Sequence, residues 1–196
     1  MGQVVFGERI RPSKYEIKFG ENTDCKVLCT KKYASGNTAD QKNIALLRKG
    51  MFMNYQHHWI VDNMPVTWCY PVENGQTYCS TGFPMGCYVD KTGNPKDACV
   101  ISRDFSTADS YYIFNHVDIT INYHEGSNED WGKYLTDNVN GGRIVSVKIQ
   151  PRSIQQDSAE AAKGSCSKDV NRPPLSIKGE GNIDAEIVYT YTVSFK

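Results

Sequence analysis

The chain has 196 residues with 22 basic and 22 acidic side chains, so its net charge is zero. That length fits one domain with enough chain to bury a core, and the balanced charge provides no global field for nucleic acid or an acidic membrane. No apolar run approaches the ~18 residues needed to span a bilayer, Met1-Gly2-Gln3 lacks the regions of a signal peptide, and the absence of an Asn-x-Ser/Thr acceptor excludes N-glycosylation.

In chain order, Val4–Ile10 and Tyr15–Phe19 read as short strands around the turn Arg11-Pro12-Ser13. Cys25 and Cys29 fall in a short loop or tight turn. Asp40–Lys49 reads as a helix, with Asp40 as cap, Ile44 and Leu47 as an apolar stripe, and Gly50 as the stop. From Met51 the pattern turns to β. Asp62-Asn63-Met64-Pro65 makes a turn, since its polar side chains bond local backbone and Pro65 forces an extended residue before it. Glu73-Asn74-Gly75 and Thr92-Gly93-Asn94-Pro95 then mark two hairpins.

The longest strand signal is Tyr111–His124, with Val117, Ile119, Ile121 and Tyr123 on one face and His116, Asp118, Thr120, Asn122 and His124 on the other. Arg143–Ile149 and Glu186–Phe195 alternate in the same way. Gln150–Asp184 reads as a long polar surface excursion, and Ser127–Gly142 as a similar one carrying Trp131. Eight to ten short strands with one short helix predict an all-β, jelly-roll-like β-sandwich with antiparallel pairing.

Seven cysteines occur without a C-x-x-C or a Cys/His knuckle, which argues against a zinc ribbon or a thioredoxin-like site. A structural disulfide set in an oxidising compartment, with one cysteine left over, fits better. A type I turn on Glu73-Asn74 with Gly75 left-handed sets Val72 opposite Gln76, and Cys69 then faces Cys79 with Cα atoms about 4.5 Å apart. The same counting around Gly93 sets Cys87 opposite Cys99. Cys25 and Cys29 are close enough along the chain to bridge in a turn, which leaves Cys166 free or paired outside this chain. A link from Cys166 to Cys25 or Cys29 is the open alternative, because connectivity cannot be read from sequence alone.

Hydrolase, metalloprotease and nucleotide-loop signatures are absent, so a non-enzymatic protein without a cofactor or metal is expected. The most suggestive polar set is His116, Asp118 and His124, a candidate ligand or pH-sensing face weighed against an ordinary solvated outer face. Residues two apart on a strand lie about 7 Å apart on one side, whereas the adjacent His57 and His58 point to opposite sides. An exposed His116 beside Asp118 would have a raised pKa and would stabilise the fold more at pH 5.5 than at 7.5. Trp59, Trp68, Tyr70, Tyr78, Phe83, Tyr88 and Trp131 either fill a core or form a sugar-stacking platform.

Seven ordered blocks carry a family resemblance: VVFGERIRPSKY at Val4–Tyr15, CKVLC at Cys25–Cys29, NYQHHWIVDNMPVTWCY at Asn54–Tyr70, GFPMGCY at Gly82–Tyr88, KDACVIS at Lys96–Ser102, YYIFNHVDITINYH at Tyr111–His124, and AEIVYTYTVSF at Ala185–Phe195. Through them nearly the whole chain resembles the luminal domain of the nonaspanins, the transmembrane-nine superfamily, and within it the member-two subfamily. The resemblance implies a single luminal domain over residues 1–196, lacking the first luminal segment and all the membrane helices of a Golgi and endosomal multipass protein. It implies a role in trafficking or sorting other membrane proteins through luminal contacts, with glycan binding as the alternative. It supplies no catalytic residues.

Overall fold

Two strands with apolar alternation, near the middle and the end of the chain, organise the main sheet. The computed structural model describes residues 12–72, 75–96, 99, 101–126, 142–156, 158, 162, 166 and 172–196. The expected strand Val4–Ile10, Trp131 and most of Ser127–Gly142 lie outside the described residues. The strands are β1 (Thr23–Tyr33), β2 (Gln56–His57), β3 (Ile60–Val61), β4 (Met64–Pro71), β5 (Thr77–Thr81), β6 (Phe83–Pro84), β7 (Gly86–Val89), β8 (Ser110–Ile113), β9 (His116–His124), β10 (Arg143–Arg152), β11 (Ser176–Lys178) and β12 (Ala185–Phe195), with helix α1 spanning Thr38–Phe52. Among the described residues the fold is therefore mostly β, with one 15-residue helix and three disulfides.

The main sheet runs β1-β12-β9-β10-β4-β3, with β5 also on β4; β11-β8-β7 and β2-β6 form two smaller sheets. Pairing is not purely antiparallel. β12 lies parallel to β9 and β10 parallel to β4, pairings that no local turn can announce because parallel neighbours need long crossovers. Val117, Ile119 and Ile121 of β9 and Tyr191 and Val193 of β12 bury their apolar sides with Val66, Trp68, Val147 and Ile149. Each such side chain stabilises the fold by ~1.5–3 kcal/mol relative to exposure. A second core joins α1 to the β11-β8-β7 sheet through Ile44, Met51, Tyr88, Tyr111, Ile113 and Ile177.

Several elements differ from the sequence expectation. Helix α1 starts two residues earlier than Asp40, because the Asn37 side chain caps it by accepting from the amides of Ala39 and Asp40. Asp40 sits inside the first turn, where its carboxylate accepts from the Ala34 amide at 3.0 Å. Gly50 does not end the helix. A Cβ there would sit 2.7 Å from Met85 Sδ, so its smallness serves the approach of the helix to Met85. Tyr15–Phe19 forms no strand, although Tyr15 and Ile17 pack on the main core. The expected strand Tyr111–His124 splits at Phe114-Asn115 into β8 and β9, which belong to different sheets. The Asn115 side chain fills the gap in backbone pairing: it donates to the carbonyls of Ile154 and Val188 at 2.9 Å and accepts from the Ile154 amide at 2.8 Å.

The 150–184 stretch is only partly a surface excursion. β10 extends into it to Arg152, and Ile154, Gln156, Ala162, Cys166, Leu175 and Ile177 are buried.

The turns do their work locally. Asp62 and Asn63 both adopt positive φ, 47° and 61°, in the two-residue connection that pairs Val61 with Met64. In the β4–β5 hairpin the Val72 amide donates to the Gln76 carbonyl at 2.8 Å, Gly75 has φ 72°, and Cys69 lies opposite Cys79 with Cα atoms 4.1 Å apart. Past β7, Val89 bridges to Pro95 around Gly93, and Cys87 joins Cys99.

The expected Cys25–Cys29 bridge is not formed. Both residues lie on β1, which is irregular at Cys25 (φ 43°) and between Val27 and Cys29 yet still runs away from Cys25 along β12, and the Cys25 sulfur is held elsewhere. Cys25 instead joins Cys166, 141 residues away, and Cys29 is the free thiol, half-buried. Peptide mapping without reduction should recover Cys25–Cys166, Cys69–Cys79 and Cys87–Cys99, with Cys29 alone taking an alkylating reagent. A Cys25–Cys29 peptide would contradict an extended β1.

Candidate functional site

Extended chain at β9 turns His116 and Asp118 to the side opposite the apolar core, where a sheet face would ordinarily meet water. Here that side is covered by Arg152, Gln156 and the Cys25–Cys166 disulfide. His116 is 0% exposed, Asp118 7% and Thr190 1%, so the expected solvated outer face is corrected at this end of the strand. The covering chain follows β10 without apolar periodicity, which is why the sequence does not reveal it.

A directional hydrogen-bond chain connects these groups. His116 Nε2 lies 3.3 Å from Asp118 Oδ1, and Nδ1 lies 2.8 Å from Thr190 Oγ1. A carboxylate only accepts, so the neutral imidazole carries its proton on Nε2, and Nδ1 accepts from the Thr190 hydroxyl. Thr190 Oγ1 accepts in turn from Gln156 Nε2 at 3.4 Å. On the other side Arg152 grips both Asp118 oxygens, Nε donating to Oδ2 at 2.8 Å and Nη2 to Oδ1 at 3.2 Å. This two-pronged geometry is the strong form of a charged hydrogen bond. Arg152 Nη2 also donates to the Cys166 carbonyl, tying the charged pair to the disulfide.

Thr190, His116 and Asp118 thus make a hydroxyl–imidazole–carboxylate line of the kind that activates nucleophiles. The arrangement is sealed, however: Thr190 is 1% and His116 0% exposed. What it does chemically is hold an uncharged imidazole in the interior. Burial pushes the His116 pKa below its ordinary value and the Arg152 charge adds to this, overriding the opposing hydrogen bond and charge of Asp118. Burial pushes Asp118 upward, but the His116 hydrogen bond and the Arg152 charge outweigh it and hold the carboxyl below its usual range.

The pH expectation therefore changes sign. A histidine depressed below ~6.5 in the folded state contributes stability that is present above the unfolded value and lost as pH falls through the folded one. The melting temperature should be lower at pH 5.5 than at 7.5. His116→Gln should flatten that difference while lowering stability at both pH values, and an undiminished difference would remove His116 as its source.

His124 does not join the site. It lies eight residues along β9, ~26 Å away, and is exposed. His57 is also elsewhere, on β2, with its ring 5.1 Å from Phe83. Among the described residues no three His, Cys, Asp or Glu side chains converge to hold a metal. Sequence reasoning missed Arg152, Thr190, Gln156 and Asn115. Thr190 and Arg152 could have been suspected as polar positions within strand alternation, but their partners depend on the parallel β9–β12 pairing and the non-local cover.

The aromatic residues divide. Trp68, Phe83 and Tyr88 are buried in the cores, which leaves them unavailable as a sugar platform. Trp59 packs edge-on to Phe83 at 4.8 Å and against Tyr15 at 4.7 Å. It walls a small apolar pocket of about 190 Å³ floored by Val66 and Ile119. Tyr78 remains exposed beside Tyr70. A larger open cleft of about 440 Å³ lies between residues 107–110 and 176–180. Two of its hydroxyls are already engaged, Thr107 donating to Ser110 at 2.9 Å and Ser110 to the Ala108 carbonyl at 3.3 Å.

Comparison with known proteins matches residues 1–196 to the family described as endomembrane protein 70. The chain is 46% identical over its full length to human transmembrane 9 superfamily member 2, covering 27% of that protein. It is 30% identical to transmembrane 9 superfamily member 1 of Saccharomyces cerevisiae, covering 28%, and 29% identical to a transmembrane 9 superfamily protein of Schizosaccharomyces pombe, covering 25%. No solved structure matches. The chain spans about a quarter of the length of these relatives, and among the described residues no helix is long and apolar enough to cross a membrane. With a family match from the first residue to the last, the chain belongs to the endomembrane protein 70 family of membrane proteins, the transmembrane 9 superfamily.

Proposed function

We propose that the chain is a non-enzymatic luminal domain of a Golgi or endosomal multipass membrane protein, and that it supports trafficking or sorting of other membrane proteins through luminal contacts. The observation that carries this reading is the disulfide set. Cys25–Cys166 is buried and ties the first strand of the main sheet to the cover over His116, and two further disulfides join Cys69 to Cys79 and Cys87 to Cys99. Cross-links on which the interior depends persist in oxidising compartments and not in the reducing cytosol. The sealed Thr190–His116–Asp118 line supports a structural rather than a catalytic use of the strand face. Proximity labelling from a tag within this domain of the full-length protein should mark luminal faces of other membrane proteins. Labelling of cytosolic proteins alone would overturn the reading.

A further inference from the structure

Although net charge is zero, the charges are not evenly spread. From Gln41 to Val61 there is no Asp or Glu, while Lys42, Arg48 and Lys49 are all basic. Helix α1 turns Ile44 and Met51 into its own core. On another side Lys42, Leu46, Lys49 and Met53 recur at helical spacing, so they share one stripe along the axis. Leu46 is 64% exposed, Met53 67% and Tyr55 64%. Phe52, 50% exposed, extends the apolar area, with the Lys96 ammonium 4.4 Å above its ring. Lys42 and Lys49 make no ion pair with any described residue. Arg48 is engaged differently, donating to the Gly181 carbonyl at 3.0 Å.

Single exposed apolar residues are ordinary; four within residues 46–55, interleaved with basic groups, are not. The backbone that carries them past the helix end is also fixed. The amides of Met53, Asn54 and Tyr55 donate to the carbonyls of Lys49, Met51 and Gly50 at 3.0, 3.1 and 2.9 Å, and the Met85 amide donates to the Tyr55 carbonyl at 3.1 Å. A partner meeting this surface need not pay the entropy of ordering its backbone.

The charge selects the occupant. A helix that lies on a bilayer presents a broad apolar face to it, but here the broad apolar face is already buried, and the exposed side alternates lysine with apolar anchors. Such alternation complements a segment that offers carboxylates beside aliphatic or aromatic side chains. We infer that the stripe Lys42–Leu46–Lys49–Met53, with Tyr55 and Phe52, is a docking surface for an acidic amphipathic segment of a partner protein. This rests on the luminal-contact reading above.

The test uses a fluorescent synthetic peptide with Glu and Leu at amphipathic helical spacing, and its counterpart with Lys in place of Glu, added to the 196-residue chain. The acidic peptide should bind and the basic one should not. K42E/K49E and L46S/M53S/Y55S should each weaken binding by at least about tenfold while keeping the parental melting temperature, since all five positions are exposed. Equal binding of the two peptides, or unaffected variants, would overturn the proposal. So would absence of peptide binding combined with residue-dependent binding to phosphatidylcholine–phosphatidylserine vesicles, which would assign the surface to a bilayer. In full-length protein, luminal labelling that survives both variants would refute this surface and leave the luminal reading standing. Loss of luminal labelling in the unaltered protein would refute that reading itself.

Discussion

Replacing Cys25 and Cys166 together with alanine should lower stability by about 5 kcal/mol on the chain-entropy account of a 141-residue closure. Measured losses for native disulfides fall at ~2–5 kcal/mol, so a fall in melting temperature on the order of 10 °C or more is expected for a domain of this size. Removing Cys69–Cys79, which closes only 10 residues, should cost less, ~3 kcal/mol on the same account. The long disulfide also carries the Cys166 carbonyl that Arg152 holds, so its loss loosens the cover over His116. Paired thermal melts of the two double variants, each oxidised, make the comparison. Equal losses would mean that long-range closure contributes nothing special here.

The second large effect belongs to Arg152. Its guanidinium grips both oxygens of Asp118, whose side chain is 8% exposed. Arg152→Met keeps much of the stem volume and removes the charge. Breaking one side of a buried pair costs ~3–5 kcal/mol, and the partial exposure of Arg152 places the expected loss near the lower figure. Adding Asp118→Asn to that variant should restore part of the loss, giving a coupling of ~1 kcal/mol or more. Strictly additive losses in urea denaturation would show that the two groups do not depend on each other.

The parts of the fold that were legible are those written in local chemistry. The alternation of β9 and β12 exposes their apolar faces to inspection, and Ile44 with Leu47 points to α1 even though its capping residue was misplaced. The site was only half legible. His116 and Asp118 stand out because two polar groups share a strand face, but whether that face is wet depends on a covering segment of no regular period. The wrong assumption about cover also reversed the sign of the histidine's pH effect. Cys25 shows the same limit from another side: its neighbours along the chain suggest a local bridge, whereas its partner Cys166 lies 141 residues away on the non-local cover. The parallel pairing of β9 with β12, which brings Thr190 to His116, has no turn to announce it.

The placement of β12 has a consequence for biosynthesis. It is the last strand of the described chain, yet it lies between β1 and β9, with Thr23 opposite Val193 and Tyr33 opposite Ala185. Among the described strands β1 therefore has no sheet partner when it leaves the ribosome. At ~5–20 residues per second it waits roughly ten to thirty seconds for one to be made. Throughout that interval Cys25 and Cys29 are two neighbouring thiols on an unpaired segment, and the cysteines of the Cys69–Cys79 hairpin emerge before Cys166 does. The order of synthesis thus exposes Cys25 to cross-links with the wrong partner, and any such link has to be undone by exchange, a process of seconds to hours that depends on oxidant and isomerase. Completion of the Cys25–Cys166 bond should accordingly come late in the maturation of this domain, after collapse of its cores.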